Sequence, residues 1–324
     1  MLGGYCNADD QANTIFFWRQ NMTVQTFESQ VATKIDATFA ETAKLPLTGP
    51  DNHASPHYGI VRTDLTGPEA WFPVTVKKGY VPHTTEDVKT ICLAAAQGFD
   101  LDPDSIVVDA AWAKNGHRVC IQPTREYRRA ISSDGYGNED AVWPRFIVRA
   151  NYGGKFTASA GMWRDACSNL QMMRSVEETT LSLRHTSSFR DHFDATVSEF
   201  RFLATKYENV VAAARHLDQR LVAVADFIAE LLPPPPSESG QSKRTRYANR
   251  IEKMINRLTR EQEMIGRKSN PRQATPWMLA NMVTGYVQHD KGREGDPTKI
   301  ERAFLAVDDR FCDKAWALAF SMAS

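Results

Sequence analysis

Between Pro144 and Tyr152, Phe146, Val148 and Ala150 alternate with Arg145, Ile147, Arg149 and Asn151. That period of two marks a half-buried strand, and it assigns the arginines to the wet face. Gly153-Gly154 offers the positive φ of a tight turn, and Phe156, Ala158 and Ala160 resume the alternation. Residues 143–160 therefore read as a β-hairpin with Arg145, Arg149 and Lys155 on its polar side. A second hairpin is expected over residues 105–122, where apolar runs flank Asn115-Gly116, the pair favoured in type I′ turns. Tyr58–Arg62 and Trp71–Tyr80 read as a third strand pair around the turn Thr66-Gly67-Pro68-Glu69.

Helical spacing takes over elsewhere. Phe27, Val31, Ile35 and Phe39 recur every four residues and predict an amphipathic helix over Thr23–Ala43, followed by a linker punctuated by Pro46, Gly49, Pro50 and Pro56. With no helical neighbour in sequence, its apolar stripe is expected to mediate self-association. Thr84 or Thr85 with Glu86 and Asp87 opens a helix that stops at Gly98. After Ser187 or Ser188 the spacing is helical as far as Leu232, a run of roughly 60 Å if unbroken. Pro233–Pro236 ends it, a basic helix follows over Lys243–Arg267, and two more are expected at about 276–289 and 309–322. Strand hairpins followed by long helices make an α+β fold, with antiparallel hairpins forming a sheet, a helix packed on it and helices C-terminal to it. The breaks divide the chain into residues 1–50, an α+β core at 51–192, and a helical region at 193–324.

The chain has 324 residues, 42% of them hydrophobic, enough for a substantial core. It holds no apolar run of eighteen residues and no signal-peptide pattern at its start, so a cytoplasmic protein without membrane contact is expected. Five scattered cysteines without a C-x-x-C pair read as reduced thiols. Overall charge is zero, yet residues 243–272 carry ten Lys and Arg against three acids, and residues 1–100 carry seven against eleven. That asymmetry points to a polyanionic partner.

Catalytic patterns are weak. Cys167, Asn169 and His185 suggest a thiol hydrolase, but Cys167 follows a small-residue run that reads as buried. Cys120, Cys167, His117 and His185 lack the close-spaced pairs of a zinc site. Asp134, Glu139 and Asp140 lie in a turn-rich loop, and Gly153-Gly154 lacks the Lys-Ser/Thr of a phosphate loop. A non-catalytic binding protein that needs no metal or cofactor is the expectation.

Arg164-Asp165-Ala166-Cys167-Ser168-Asn169 and Arg184-His185-Thr186, with the block from Trp277 through Asn281, Thr284 and Tyr286 to His289, resemble three motifs of the phage- and plasmid-related family catalogued as domain of unknown function 932. The plan is also similar to that of phage single-strand annealing proteins of the Red-beta and Erf type. That likeness implies single-stranded DNA as partner, self-association into a ring or filament, and strand annealing without ATP. Arg118, Arg125, Arg128, Arg129, Arg145, Arg149, Lys155, Arg164, Arg184 and His185 would then contact the DNA. The alternative is an interaction protein that counters a host defence or regulates a phage process.

Overall fold

The computed structural model describes residues 30–49, 53–99, 106–124, 127–133, 139–164, 169–171, 180–291 and 310–324. The expectations that concern Phe27, Arg125, Asp134 and Cys167 lie outside the described residues. The fold is α+β, as expected. Its main sheet has the strand order β10-β8-β7-β5-β4, with β6 also on β7 and β9 also on β8. These strands are β4 (Ile106–Ala113), β5 (Gly116–Pro123), β6 (Arg129–Ser133), β7 (Glu139–Asn151), β8 (Lys155–Arg164), β9 (Asn169–Gln171) and β10 (Thr180–Arg184). The chain divides into two compact units, and both draw on segments from either side of residue 192.

The first unit comprises Met1–Thr124, Ile147–Ala158 and Leu181–Phe202. It holds a helix over residues 30–38 (α1), a three-stranded antiparallel sheet of β1 (Thr42–Thr48), β2 (Ala54–Arg62) and β3 (Trp71–Lys77), and helices α2 (Thr85–Gly98) and α3 (Phe189–Val197). Two expectations are corrected here. The segment expected as a linker is strand β1, paired with β2 from Thr42↔Arg62 to Thr48↔Ala54. The apolar stripe of α1 is not free for a partner either: Val31, Ile35 and Phe39 are buried, and Phe39 packs edge-on against Trp112 and His117. Thr84 caps α2 through a capping box in which Asp87 stands at the third helical position. Ile60, Phe72, Val76 and Tyr152 form an apolar cluster against which Trp112 and Tyr80 pack.

The 105–122 hairpin forms with its turn one residue early, since Ala113 pairs with Gly116 and the turn is Lys114-Asn115. Gly116 is needed for another reason than a type I′ turn. At its φ of 148°, a Cβ would lie 2.0 Å from the carbonyl oxygen of Ala150 on β7. The 143–160 hairpin forms as read, with Gly153 at φ 74° in its turn.

The second unit comprises Arg125–Phe146, Ser159–Thr180 and Leu203–Ser324. The helical run expected as far as Leu232 consists of several pieces. α3 gives way to a 3-10 segment at Ser198–Phe202, and then come α4 (Leu203–Leu217), the short strand β11 (Val222–Ala223) and α5 (Val224–Leu231). Asp218 shows why the chain turns after α4, because its carboxylate accepts hydrogen bonds from Thr275 Oγ1 at 2.6 Å and Arg267 Nη1 at 3.1 Å. β11 pairs with β12 (Gln273–Ala274), and helices α6 (Gln241–Met264), α7 (Pro276–Gly285) and α8 (Arg310–Ala323) complete the unit. Every residue of α7 is buried, as an all-round apolar helix requires. Thr275 caps it, Pro276 occupies its first turn, and it ends in a π-helical turn over Tyr286–Asp290.

Candidate functional site

An exposed cationic surface lies on α6. At 100° per residue, Arg246, Asn249, Lys253, Asn256 and Arg260 fall on one stripe of the helix, and all five are exposed. Arg246, Lys253 and Arg260 are seven residues apart, about 10.5 Å along the axis. None of the three is ion-paired within the described residues. Of the acids of this segment, Glu263 continues the stripe one step past Arg260, Glu252 lies beside it and Glu261 is buried. The cations nearer the helix's buried side are engaged. Arg250 lies 4.0 Å over the ring of Phe311, and Arg257 makes two hydrogen bonds to Asp290 at 2.7 and 2.8 Å.

The residues singled out from the sequence scatter. Lys155 and Arg184 are exposed. Arg118 pairs with Asp109 at 3.6 Å, Arg128 with Glu139 at 3.8 Å and Arg129 with Glu208 at 3.1 Å, all at the surface, while Arg149 is half-buried. Arg145 corrects the reading of β7. It is 7% exposed and its guanidinium lies 4.1 Å from the ring centre of Trp163, so it does not belong to a wet face. The physical reason is that both faces of β7 are covered, Asp140–Val148 being buried throughout, with the ring of Trp163 over Arg145.

Arg164 is also corrected. Its side chain is wholly buried, donating from Nε and Nη2 to Asp140 at 2.7 Å each and from Nη1 to Glu261 at 2.6 Å. Trp277 Nε1 donates to the same Asp140 Oδ2 at 2.7 Å, and Met278 Sδ accepts from Arg164 at 3.1 Å. Two motif blocks thus meet over one carboxylate inside the second unit. With arginine and both carboxylates out of solvent, this cluster holds β7, β8, α6 and α7 together and has no access to a phosphate.

His185 has an equally buried setting in the first unit. Its Nε2 lies 2.8 Å from Nδ1 of His83, whose Nε2 lies 3.0 Å from Nδ1 of His117. At one end His185 Nδ1 reaches the carbonyl of Gly154 at 3.2 Å, and at the other His117 Nε2 lies 3.4 Å from Thr85 Oγ1. A carbonyl only accepts, so His185 Nδ1 carries hydrogen; in a neutral chain each Nδ1 then donates to the next Nε2. Tyr152 stacks on His83 at 4.2 Å, and Tyr80 and Phe189 stack on His185 at 4.9 and 5.2 Å. Burial lowers all three imidazole pKa values, that of His117 to about 3; His83 is lowered further by its neighbours His117, His185 and Arg190. Because the links use opposite nitrogens of His83, no three nitrogens converge on a point where a metal could sit. Among the described residues no group of three or more His, Cys, Asp and Glu side chains is arranged to hold a metal ion. Nor is any described helix long and apolar enough to cross a membrane.

The model of a family described as a domain of unknown function, DUF932, matches residues 75–306. The chain belongs to this family. The match takes in the arginine cluster and the histidine chain. No curated protein and no solved structure matches the chain.

Sequence reading missed His83 altogether and placed His117 at the turn of the 105–122 hairpin and in a rejected zinc set. His83, His117 and His185 come from a loop, a strand start and the segment after β10, separated by 34 and 68 residues. No local spacing could have joined them. The α6 stripe was visible as a charge excess; that its cations divide into free and engaged sets was not.

Proposed function

We propose that this member of the family is a non-catalytic protein that binds single-stranded DNA and promotes strand annealing, with the exposed stripe of α6 as its contact to the phosphate backbone. One observation carries the reading. Arg246, Lys253 and Arg260 are exposed, aligned and without carboxylate partners among the described residues, with two amides interleaved that can hydrogen-bond phosphate or base edges. A structural ion-pair face would instead alternate its charges, as exposed helices that salt-bridge to themselves do. Lys155 and Arg184 add exposed charge on the first unit. The buried state of Arg145, Arg164 and His185 moves the proposed contact away from the β7–β8 hairpin. Self-association into a ring or filament belongs to the proposal as well, without the α1 stripe as its means.

The experiment is fluorescence anisotropy of a labelled single strand with the full chain, alongside Arg246→Glu/Lys253→Glu/Arg260→Glu and a duplex of the same sequence. The expected result is salt-sensitive binding, preference for the single strand, loss in the triple variant, and faster annealing of complementary strands by the wild type. Retention of full affinity in a folded triple variant overturns α6 as the contact. Absence of single-strand binding at low salt overturns the nucleic-acid reading in favour of a protein-interaction role.

A further inference from the structure

The histidine chain has a feature that packing alone does not call for. Thr85 Oγ1 donates its only hydrogen to the carbonyl of Ala40 at 3.0 Å. His117 Nε2, the accepting end of the neutral chain, therefore faces a hydroxyl lone pair across 3.4 Å. Every other ring nitrogen is committed as donor or acceptor. A proton added to His83 or His185 would set one N–H against another within 2.8–3.0 Å. The native chain has one place for a proton, on His117 Nε2, in a position that is fully buried.

The surroundings offset this only in part: the Gly154 carbonyl and Asp87 favour a proton on His185, but its burial outweighs them. Asp87 of α2, the carboxylate whose charge acts on His185, already caps Thr84 and is bonded by Arg190 of α3, whose own charge acts against a proton on His83. The groups facing the rings from the other elements are the phenols of Tyr80 and Tyr152. Tyr152 shares a 2.7 Å hydrogen bond with Thr42 on β1, and Tyr80 receives one from the backbone of Gly153 at 3.1 Å. Lys44 of β1 reaches the Tyr80 carbonyl at 2.8 Å and brings a further positive charge to this side.

We infer that His185, His83 and His117 form an acid-sensitive latch within the first unit: neutral, they tie the loop before α2, the start of β5 and the segment after β10 to the β7–β8 turn, and in acid the chain opens as a whole with uptake of close to three protons. Folding lowers the proton affinity of all three rings. The stability they carry is therefore complete above the unfolded histidine pKa, about 6.5, and is lost as pH falls below it. Three such groups change the unfolding constant by up to about a thousandfold per pH unit, where one would give tenfold.

The test uses the full chain labelled with 15N-histidine, together with urea unfolding at pH 7.5, 6 and 5. Three imidazoles are expected to hold the neutral, Nδ1-protonated signature for as long as the near-ultraviolet dichroism of the fold persists. The logarithm of the unfolding constant should climb by two to three per pH unit between 6 and 5. His185→Gln keeps a donor and an acceptor at that position and should lower this slope by about one. Independent titration of the three rings near pH 6.5 in a still-folded protein overturns the latch, as does an equal slope in His185→Gln. Should that variant fail to fold, the titration of the wild type decides alone.

Discussion

Replacing Arg164 would leave Asp140 and Glu261 buried without the guanidinium that lies between them. Breaking a buried ion pair from one side costs about 3–5 kcal/mol, far more than the net worth of the intact pair, because the stranded charge cannot reach water. Arg164→Met is expected to destabilise by that amount in urea unfolding followed by far-ultraviolet dichroism. Lys253→Gln on the exposed stripe should stay within about 0.5 kcal/mol of wild type. A loss under 1 kcal/mol for Arg164→Met would show that the cluster is hydrated in solution. Trp277→Phe takes the indole N–H from Asp140, which keeps its two bonds to Arg164, and also leaves a cavity at a fully buried position, so a loss of about 2–4 kcal/mol is expected.

At the scale of elements, α1 and β1 behave differently from the appendage that their sequence suggests. The four-residue spacing of Val31, Ile35 and Phe39 was legible, because a helix's buried face follows from periodicity alone. What the stripe faces was not, since the covering residues, Trp112 and His117 against Phe39 among them, lie more than seventy positions away. β1 was hidden by Pro46, which reads as a linker residue but is tolerated on an edge strand, where β1 sits with only β2 as neighbour. β7 failed in the opposite direction. Its alternation of Arg with apolar residues is genuine, yet what covers a face decides exposure, and the ring of Trp163 covers Arg145. The hairpins, the cap of α2 and the basic helix all followed from local signals. The two buried polar clusters did not, because each draws single residues from distant segments. Removal of residues 1–50 is accordingly expected to do more than shrink an assembly. It strips β1 from β2, takes the Ala40 carbonyl from Thr85, and uncovers apolar surface worth about 1.5–3 kcal/mol for each of the three buried stripe residues. Loss of a cooperative thermal transition, followed by near-ultraviolet dichroism, is the expected outcome. A truncated chain that melts like the full one would return α1 and β1 to the status of an appendage.

Taken whole, the molecule is neutral, with 39 basic and 39 acidic residues and an isoelectric point near 7.1. A neutral protein does not draw a polyanion by long-range attraction, so any salt dependence of DNA binding reports the phosphates that local cations neutralise. For a single strand each such contact contributes about −0.7 to the slope of log affinity against log salt. Three contacts along α6, from Arg246, Lys253 and Arg260, give about −2. Lys253→Gln/Arg260→Gln should flatten that slope to about −0.7 and leave the urea midpoint unchanged, since neither side chain is buried or ion-paired among the described residues. A slope much steeper than −2 in the wild type would bring Lys155, Arg184 and the weakly paired Arg118, Arg128 and Arg129 into the contact, because surface pairs at 3.1–3.8 Å yield readily to a phosphate. A slope that the double variant does not change would remove α6 from the contact, whatever the affinity.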